Sequence, residues 1–302
     1  MWQDALNDIL ALPRAKRREA LKQLRKHLPS DPSEEWNTTF GANSLYEAWS
    51  TVGPMQGIYE HNRDVIRKYL EGRDAWHVVE VGGGNGALWR GFFGESAQGT
   101  FTLVDPVADA HEAVASALPE GVVFQAVVAP VETVNISEAD VLVCSLMLHH
   151  VAGLDVEQRY GYGLIGPGKH ELLQGFLRCV RSRDGICILN ESDIYTELDL
   201  PPEDPILMDR LIDSYISRAG MAVAAALAQP GLDSSLKHRL EAILLRWCID
   251  QVELAGTCPR AERDVYELDT PCWKRVLERA EARILSHRFT DDWNLFHQWV
   301  LA

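Results

Sequence analysis

Three short stretches carry side chains whose types and spacing could do chemistry. In "VVEVGGGNG", residues 78–86, an apolar run ends in Gly82, Gly83, Gly84, Asn85 and Gly86. Glycine lacks a Cβ, so the backbone there can turn sharply and come close to a ligand. Glu80 stands just before the turn, where a carboxylate could orient an ammonium or the loop that binds one. The residues after Gly86 return to a helix-like pattern, and the N–H groups of a helix N-terminus favour a polar or anionic group. The next apolar run ends in Asp105-Pro106, and an acid at that point can accept from both hydroxyls of a ribose. Together these residues describe a pocket for an adenosine-type ligand. The stretch "ADVLVCSLMLHHV", 139–151, runs into His149 and His150, side chains that titrate near neutrality and could take a proton. "GICILNE", 185–191, ends in Asn190 and Glu191, polar groups that could orient an acceptor.

The elements that must position these residues follow from hydrophobic periodicity. Short Val-, Ile- and Leu-rich runs at 77–81, 100–105, 122–128, 139–147 and 185–191 alternate with helical or loop segments. That alternation predicts a parallel sheet covered on both faces. Near the end, two β-like stretches flank Thr290-Asp291-Asp292 and predict an antiparallel hairpin. The expected fold is α/β: a Rossmann-like, seven-stranded, mostly parallel sheet with a terminal antiparallel hairpin. Amphipathic patterns add helices at 3–28 and 44–71, and two long ones at about 206–228 and 234–254, too much helix for one crossover. Four regions result: an N-terminal helical region over the site (1–74), a nucleotide-binding core (75–200), a helical insertion or cap (201–269) and the end of the core (270–302).

Composition narrows the partners. The chain has 302 residues, is 46% hydrophobic and carries a net charge of −15, which argues against a nucleic-acid partner, since such a partner needs basic surface. No apolar run is long enough to span a membrane, and the first residues lack the pattern of a signal peptide, so a cytoplasmic protein is expected. The six cysteines are scattered, which predicts reduced thiols and no metal site. Residues 1–28 run against the overall charge, with seven bases (Arg14, Lys16, Arg17, Arg18, Lys22, Arg25, Lys26) and three acids. A basic helix of this kind docks on its own acidic body, on a twin subunit or on an acidic partner. The apolar faces of the same helices leave room for a homodimer.

Gly82-x-Gly84-x-x-Ala87 fits a loose dinucleotide fingerprint, but a nicotinamide enzyme would want a second mononucleotide-binding half where this sheet ends in a hairpin. The motifs "VVEVGGGNG", "LVDP" (103–106), "ADVLVCSLMLHHV", "GICILNE" and the closing hairpin resemble those of the class I S-adenosylmethionine-dependent methyltransferases. The resemblance covers roughly 75–200 and 270–302. It implies S-adenosylmethionine as cofactor, with the glycine turn on its methionyl part and Asp105 on its ribose. Carried over residue by residue, the cofactor site is Glu80, Gly82, Gly84, Asn85, Gly86, Asp105 and Pro106, with Ser145, Leu146 and His150 beside the sulfonium. The third strand departs from the family pattern: "VVAPVETV" has Glu132 displaced from the position of an adenine-contacting acid.

The resemblance also places the segment before the first strand over the site. Aromatic faces of Tyr46, Trp49 and Tyr59 could there hold a sulfonium or an amine, Tyr59 beside the cofactor and Tyr46 and Trp49 beside the acceptor. The glycine-rich stretch 159–170 reads as a loop carrying Tyr160 or Tyr162 to the substrate. His149, His150 and Tyr162 are the candidate catalytic groups, and Asn190 and Glu191 join the acceptor side. The helical cap favours a small enclosed acceptor, methylated on O or N. Chemistry on the aminocarboxypropyl arm of the cofactor, and methylation of a peptide- or carrier-bound substrate, are the alternatives, with a non-enzymatic binding module beyond them.

Overall fold

Six β-rich segments run in one direction and a seventh against them. The computed structural model describes residues 1–29, 45–136, 138–151, 167–194, 204–257 and 267–302. Its strands are β1 (Trp76–Val81), β2 (Gly99–Val104), β3 (Val122–Val127), β4 (Val141–Ser145), β5 (Ile186–Ser192), β6 (Ile284–Phe289) and β7 (Phe296–Leu301). They form one sheet in the order β3-β2-β1-β4-β5-β7-β6. β1 to β5 pair in parallel, and β7 lies antiparallel to both β5 and β6. The strand order reverses between β1 and β4, and in open parallel sheets ligands bind in the crevice beyond the strand ends at such a point. The turn after β1 and the segment after β4 therefore face one crevice. The seven-stranded sheet and closing hairpin are as the sequence predicts, and strand ends differ by one to two residues.

The hairpin is closed by Asp291, whose carboxylate accepts from the N–H groups of Trp293, Leu295 and Phe296. Helix α4 (Gly53–Leu70) packs against β7, and the fit at the hairpin is tight: a Cβ on Gly57 would overlap the carbonyl oxygen of Thr290. Two apolar layers flank the sheet. One joins it to α4 and α5 (Ala108–Ala117), the other to α6 (Pro167–Arg181) and a helix at Thr270–Arg279.

A third apolar core sits over the edge where the parallel strands end. It joins α1 (Trp2–Ala11), α2 (Arg14–Arg25), α3 (Leu45–Trp49) and the start of α4 to two long helices at 205–227 and 234–255. It meets the sheet at Leu146, Ile194, Leu295 and Phe296. Leu6 and Leu21 are fully buried there, so the apolar faces that left room for a homodimer are covered by the chain's own cap. The basic surface of α2 is answered internally as well. Arg14 pairs with Asp209, Arg17 with Asp213, Arg18 and Lys22 with Glu253, and Arg25 with Asp250. Of the dockings expected for this helix, these pairs form the one on the chain's own acidic body.

Each long cap helix widens mid-way into π geometry, at Ile212–Gly220 and Leu240–Leu245. The first widened stretch directs two side chains towards the segment after β5 and to Glu267. The Tyr215 hydroxyl donates to Glu267, and Arg218 donates to the Asp193 carbonyl and carboxylate at 2.6 and 2.7 Å.

Candidate active site

The glycine turn takes a left-handed backbone at alternate positions, with φ of 76° at Gly82, 54° at Gly84 and 68° at Gly86. These values are strained for any residue with a side chain. Gly83 needs its missing Cβ for a different reason: a methyl there would lie 2.6 Å from Leu103 and 2.9 Å from the Glu80 carboxylate. Asp105 braces the turn, accepting from the N–H of Gly83 at 3.1 Å and from that of Val107 at 2.8 Å. Burial raises its pKa, against the pull of those backbone donors. Pro106 beside it is exposed.

The segment after the turn is not the expected helix. Residues 87–93 form consecutive turns, closed by Trp89 N–H to Gly86 and Phe92 N–H to Trp89. No helix N-terminus therefore follows the turn, and its N–H groups at Gly82, Gly83 and Gly86 are taken by Val104, Asp105 and Gly83. Gly91 and Gly94 interrupt this stretch, which instead stacks Trp89 and Phe93 against each other and beside Phe101 and Trp76. Glu80 serves this stretch. Its carboxylate accepts from Trp89 Nε1 at 2.7 Å, is almost fully buried, and is pushed up to about 8 by burial, with Asp105 adding to the effect. Asn85 is buried, caps Ala87 N–H, and donates to Glu47 of α3 at 3.2 Å, so the helical segment before β1 does reach over the turn.

Beyond β4, Ser145 donates to Asn190 Oδ1 at 2.8 Å. Asn62, on α4, donates to the same oxygen at 2.7 Å, and Gln298 of β7 donates to Asn62 at 2.7 Å. Leu146 sits at φ 53° with its N–H on the Asn190 carbonyl, a left-handed non-glycine residue at the centre of the crevice. Such strain persists only where surroundings enforce it.

Next comes a short 3-10 turn, Leu148–His150. Fully buried Glu191 holds it. One carboxylate oxygen accepts from the N–H groups of Met147 and Leu148 at 3.1 and 2.6 Å; the other meets His149 Nδ1 at 2.9 Å. Burial works to lower the His149 pKa, and the Glu191 carboxylate, with Glu267 adding to it, more than offsets that, so the net shift is upward. The turn is also pinned from below. Lys169, 1% exposed, donates to the carbonyls of Leu148 and Val151 at 2.8 and 2.7 Å, and burial drops its pKa to about 7. Glu267, raised by burial, joins Ser192 and Tyr215 nearby.

The structure thus brings together Glu80, the glycines, Asn85 and Asp105 on one side of the crevice and Ser145, Leu146, His149, Asn190 and Glu191 on the other. His150 is exposed, its ring 4.2 Å from that of His149. Trp49 is buried edge-on to Trp247 and Phe296. Tyr59 is half-buried between the cap and sheet cores, and burial and the nearby Glu80 raise its pKa. Glu132 lies exposed in a separate turn at Val131–Thr133. The side chain of Tyr46, and Tyr160 and Tyr162 entirely, lie outside the described residues. Asn62, Lys169, Gln298 and Glu267 were not among the residues singled out in the sequence. Among the described residues no group of three or more His, Cys, Asp and Glu could hold a metal ion, five cysteines are buried free thiols, and no helix is long and apolar enough to cross a membrane.

No protein-family model and no curated protein matches the chain. Solved structures do. A SAM-dependent methyltransferase from Leishmania major aligns with 12% identity and a TM-score of 0.44, over 94% of this chain and 91% of that one. An O-methyltransferase family 2 protein from Planctomyces limnophilus, solved with apigenin, aligns with 11% identity and a TM-score of 0.45, over 98% of this chain. The chain spans 64% of that protein's length. Human N-acetylserotonin methyltransferase, solved with SAM, aligns with 14% identity and a TM-score of 0.43, over 99% and 70%. The strand order and register define the fold on their own: it is the seven-stranded arrangement that the sequence resemblance to class I methyltransferases implied.

Proposed function

We propose that this chain is an S-adenosylmethionine-dependent methyltransferase that moves a methyl group to an oxygen or nitrogen of a small molecule. The observation that carries the reading is the His149–Glu191 pair. A buried carboxylate holds one imidazole nitrogen at 2.9 Å, across a crevice from a glycine turn braced by an acid. The residues present fit the cofactor. Gly82, Gly84 and Gly86 hold the left-handed backbone that lets the turn bend back at the strand end, and Asp105 stands where a ribose would present its hydroxyls.

When bound, the sulfonium supplies an electrophilic methyl carbon. The chain's own residues then have three tasks. Gly82 to Gly86 and Asp105 fix the cofactor's position, which matters because in-line attack is sensitive to alignment. The cap over the strand ends keeps water from the crevice. His149 takes the acceptor's proton. Glu191 holds Nδ1, so Nε2 is the nitrogen available as base, and the carboxylate stabilises the imidazolium that forms. A base of this kind suits a hydroxyl or a protonated amine.

The test is mass spectrometry of the purified protein with S-adenosylmethionine, alone and then with a small-metabolite extract. S-adenosylhomocysteine formed only with the extract is the expected result, and the methylated product names the acceptor. Methylthioadenosine formed without any acceptor would overturn methyl transfer and assign the chemistry to the aminocarboxypropyl arm.

A further inference from the structure

The turns at 87–93 leave a problem that a helix would have solved. In a helix each carbonyl is taken up by an N–H four residues on; here the carbonyls of Ala87, Leu88 and Arg90 are left to other donors. One side chain takes all three. Arg63, half-buried on α4, donates from Nε to Leu88 at 2.8 Å and from Nη2 to Ala87 at 2.9 Å and Arg90 at 3.1 Å. Arg90 in turn donates to the carbonyl of Asn85, inside the glycine turn, at 2.8 Å.

The helix that carries Arg63 is itself fixed. Its neighbour Asn62 is buried and bonded to Ser145, Asn190 and Gln298. Consecutive residues of one helix therefore grip the two halves of the crevice, Asn62 the β4 side and Arg63 the glycine-turn side. We infer that Arg63 is a positioning residue for the cofactor: it holds the glycine turn in its ligand-binding shape, in place of the helix that does not form. This rests on the reading of the turn as the S-adenosylmethionine site.

The physical argument is one of populations. Without Arg63 the turn samples other conformations, and the apparent affinity falls by the fraction of time it spends in the competent one. Lysine is no substitute. Its ammonium lacks the planar fork that reaches three carbonyls from one position.

The experiment is calorimetric titration of S-adenosylhomocysteine into the wild type, Arg63→Ala, Arg63→Lys and Lys68→Ala, an exposed residue of the same helix. The expected Kd rises about tenfold or more in Arg63→Ala, with Arg63→Lys also weakened and Lys68→Ala unchanged. With the acceptor found above, KM for the cofactor should rise in step while kcat at saturating cofactor holds. A merely structural role would lower the melting temperature and leave Kd alone. Should Arg63→Ala not fold, Arg63→Lys carries the test. A wild type that binds while both folded variants stay within about twofold of it overturns the role of Arg63 alone. A wild type that does not bind overturns the cofactor reading and this role with it.

Discussion

Glu191 has no solvent-exposed surface, and its two oxygens divide between the backbone of the 3-10 turn and the His149 imidazole. For His149 the proposed base role and the stabilising effect should run in opposite directions with pH. Its pKa in the folded protein is raised above the ordinary histidine value of about 6.5. Its contribution to stability is therefore fully present below about 6.5 and is lost as pH rises through the folded value. As a base it must be neutral, so turnover should fall as pH drops through that same raised value. Glu191→Gln removes the larger part of the offset, leaving Glu267, while burial still lowers the pKa. The acid limb of the rate profile should move down, and turnover should drop about a hundredfold. A limb that stays in place in the pH–rate profile of the variant would show that His149 is not the base. His149, His150 and Glu191 were legible in the sequence because apolar runs placed them at strand ends on one edge. Which histidine meets the acid was not, since that depends on the 3-10 turn. Asn62 was legible in principle: it interrupts a buried helical stripe between Ile58 and Ile66. Lys169 was hidden, because its burial comes from long-range packing and not from its neighbours in the chain.

At the scale of elements, the parallel strands and the hairpin were readable because their Val, Ile and Leu runs are short and bounded by turn residues. The stretch after the glycine turn misled, and the physical reason is in the chain: Gly91, at φ 66°, and Gly94 break any helix that Ala87 to Arg90 might start. The packing of α4 on the hairpin gives a prediction of its own. Gly57→Ala adds about 1 kcal/mol of helix propensity in its favour. Against it stands overlap with the backbone oxygen of Thr290, which cannot rotate away as a side chain could. Overpacking of this kind costs about 1–3 kcal/mol, so chemical denaturation should show a net loss of stability. A variant more stable than the wild type would mean that the helix and hairpin do not meet this closely.

For the whole molecule, the charge imbalance between residues 1–28 and the rest is resolved inside the fold. The pairs formed by α2 are mostly part-exposed, and such pairs contribute at most about 1 kcal/mol each. Burial of Leu6, Ile9 and Leu21 contributes more, at about 1.5–3 kcal/mol per large side chain. Deleting residues 1–28 should therefore lower the melting temperature and expose apolar surface to a dye such as ANS, whereas high salt on the intact chain should shift melting only slightly. A deletion that melts like the intact chain would refute docking on the cap.

The buried amides also say something about order of synthesis. Asn190 donates to the carbonyl of His297, 107 positions further along, and Asn62 accepts from Gln298, 236 positions away. A ribosome-bound chain that has emitted β1 to β5 holds both histidines and the glycine turn, yet the polar cluster joining them lacks its β7 partners. Contacts of such separation form late. The crevice is thus completed by a strand that emerges only after β1 to β6, and a nascent chain stalled before Phe296 would carry every candidate catalytic group without the cross-braces that hold them in register.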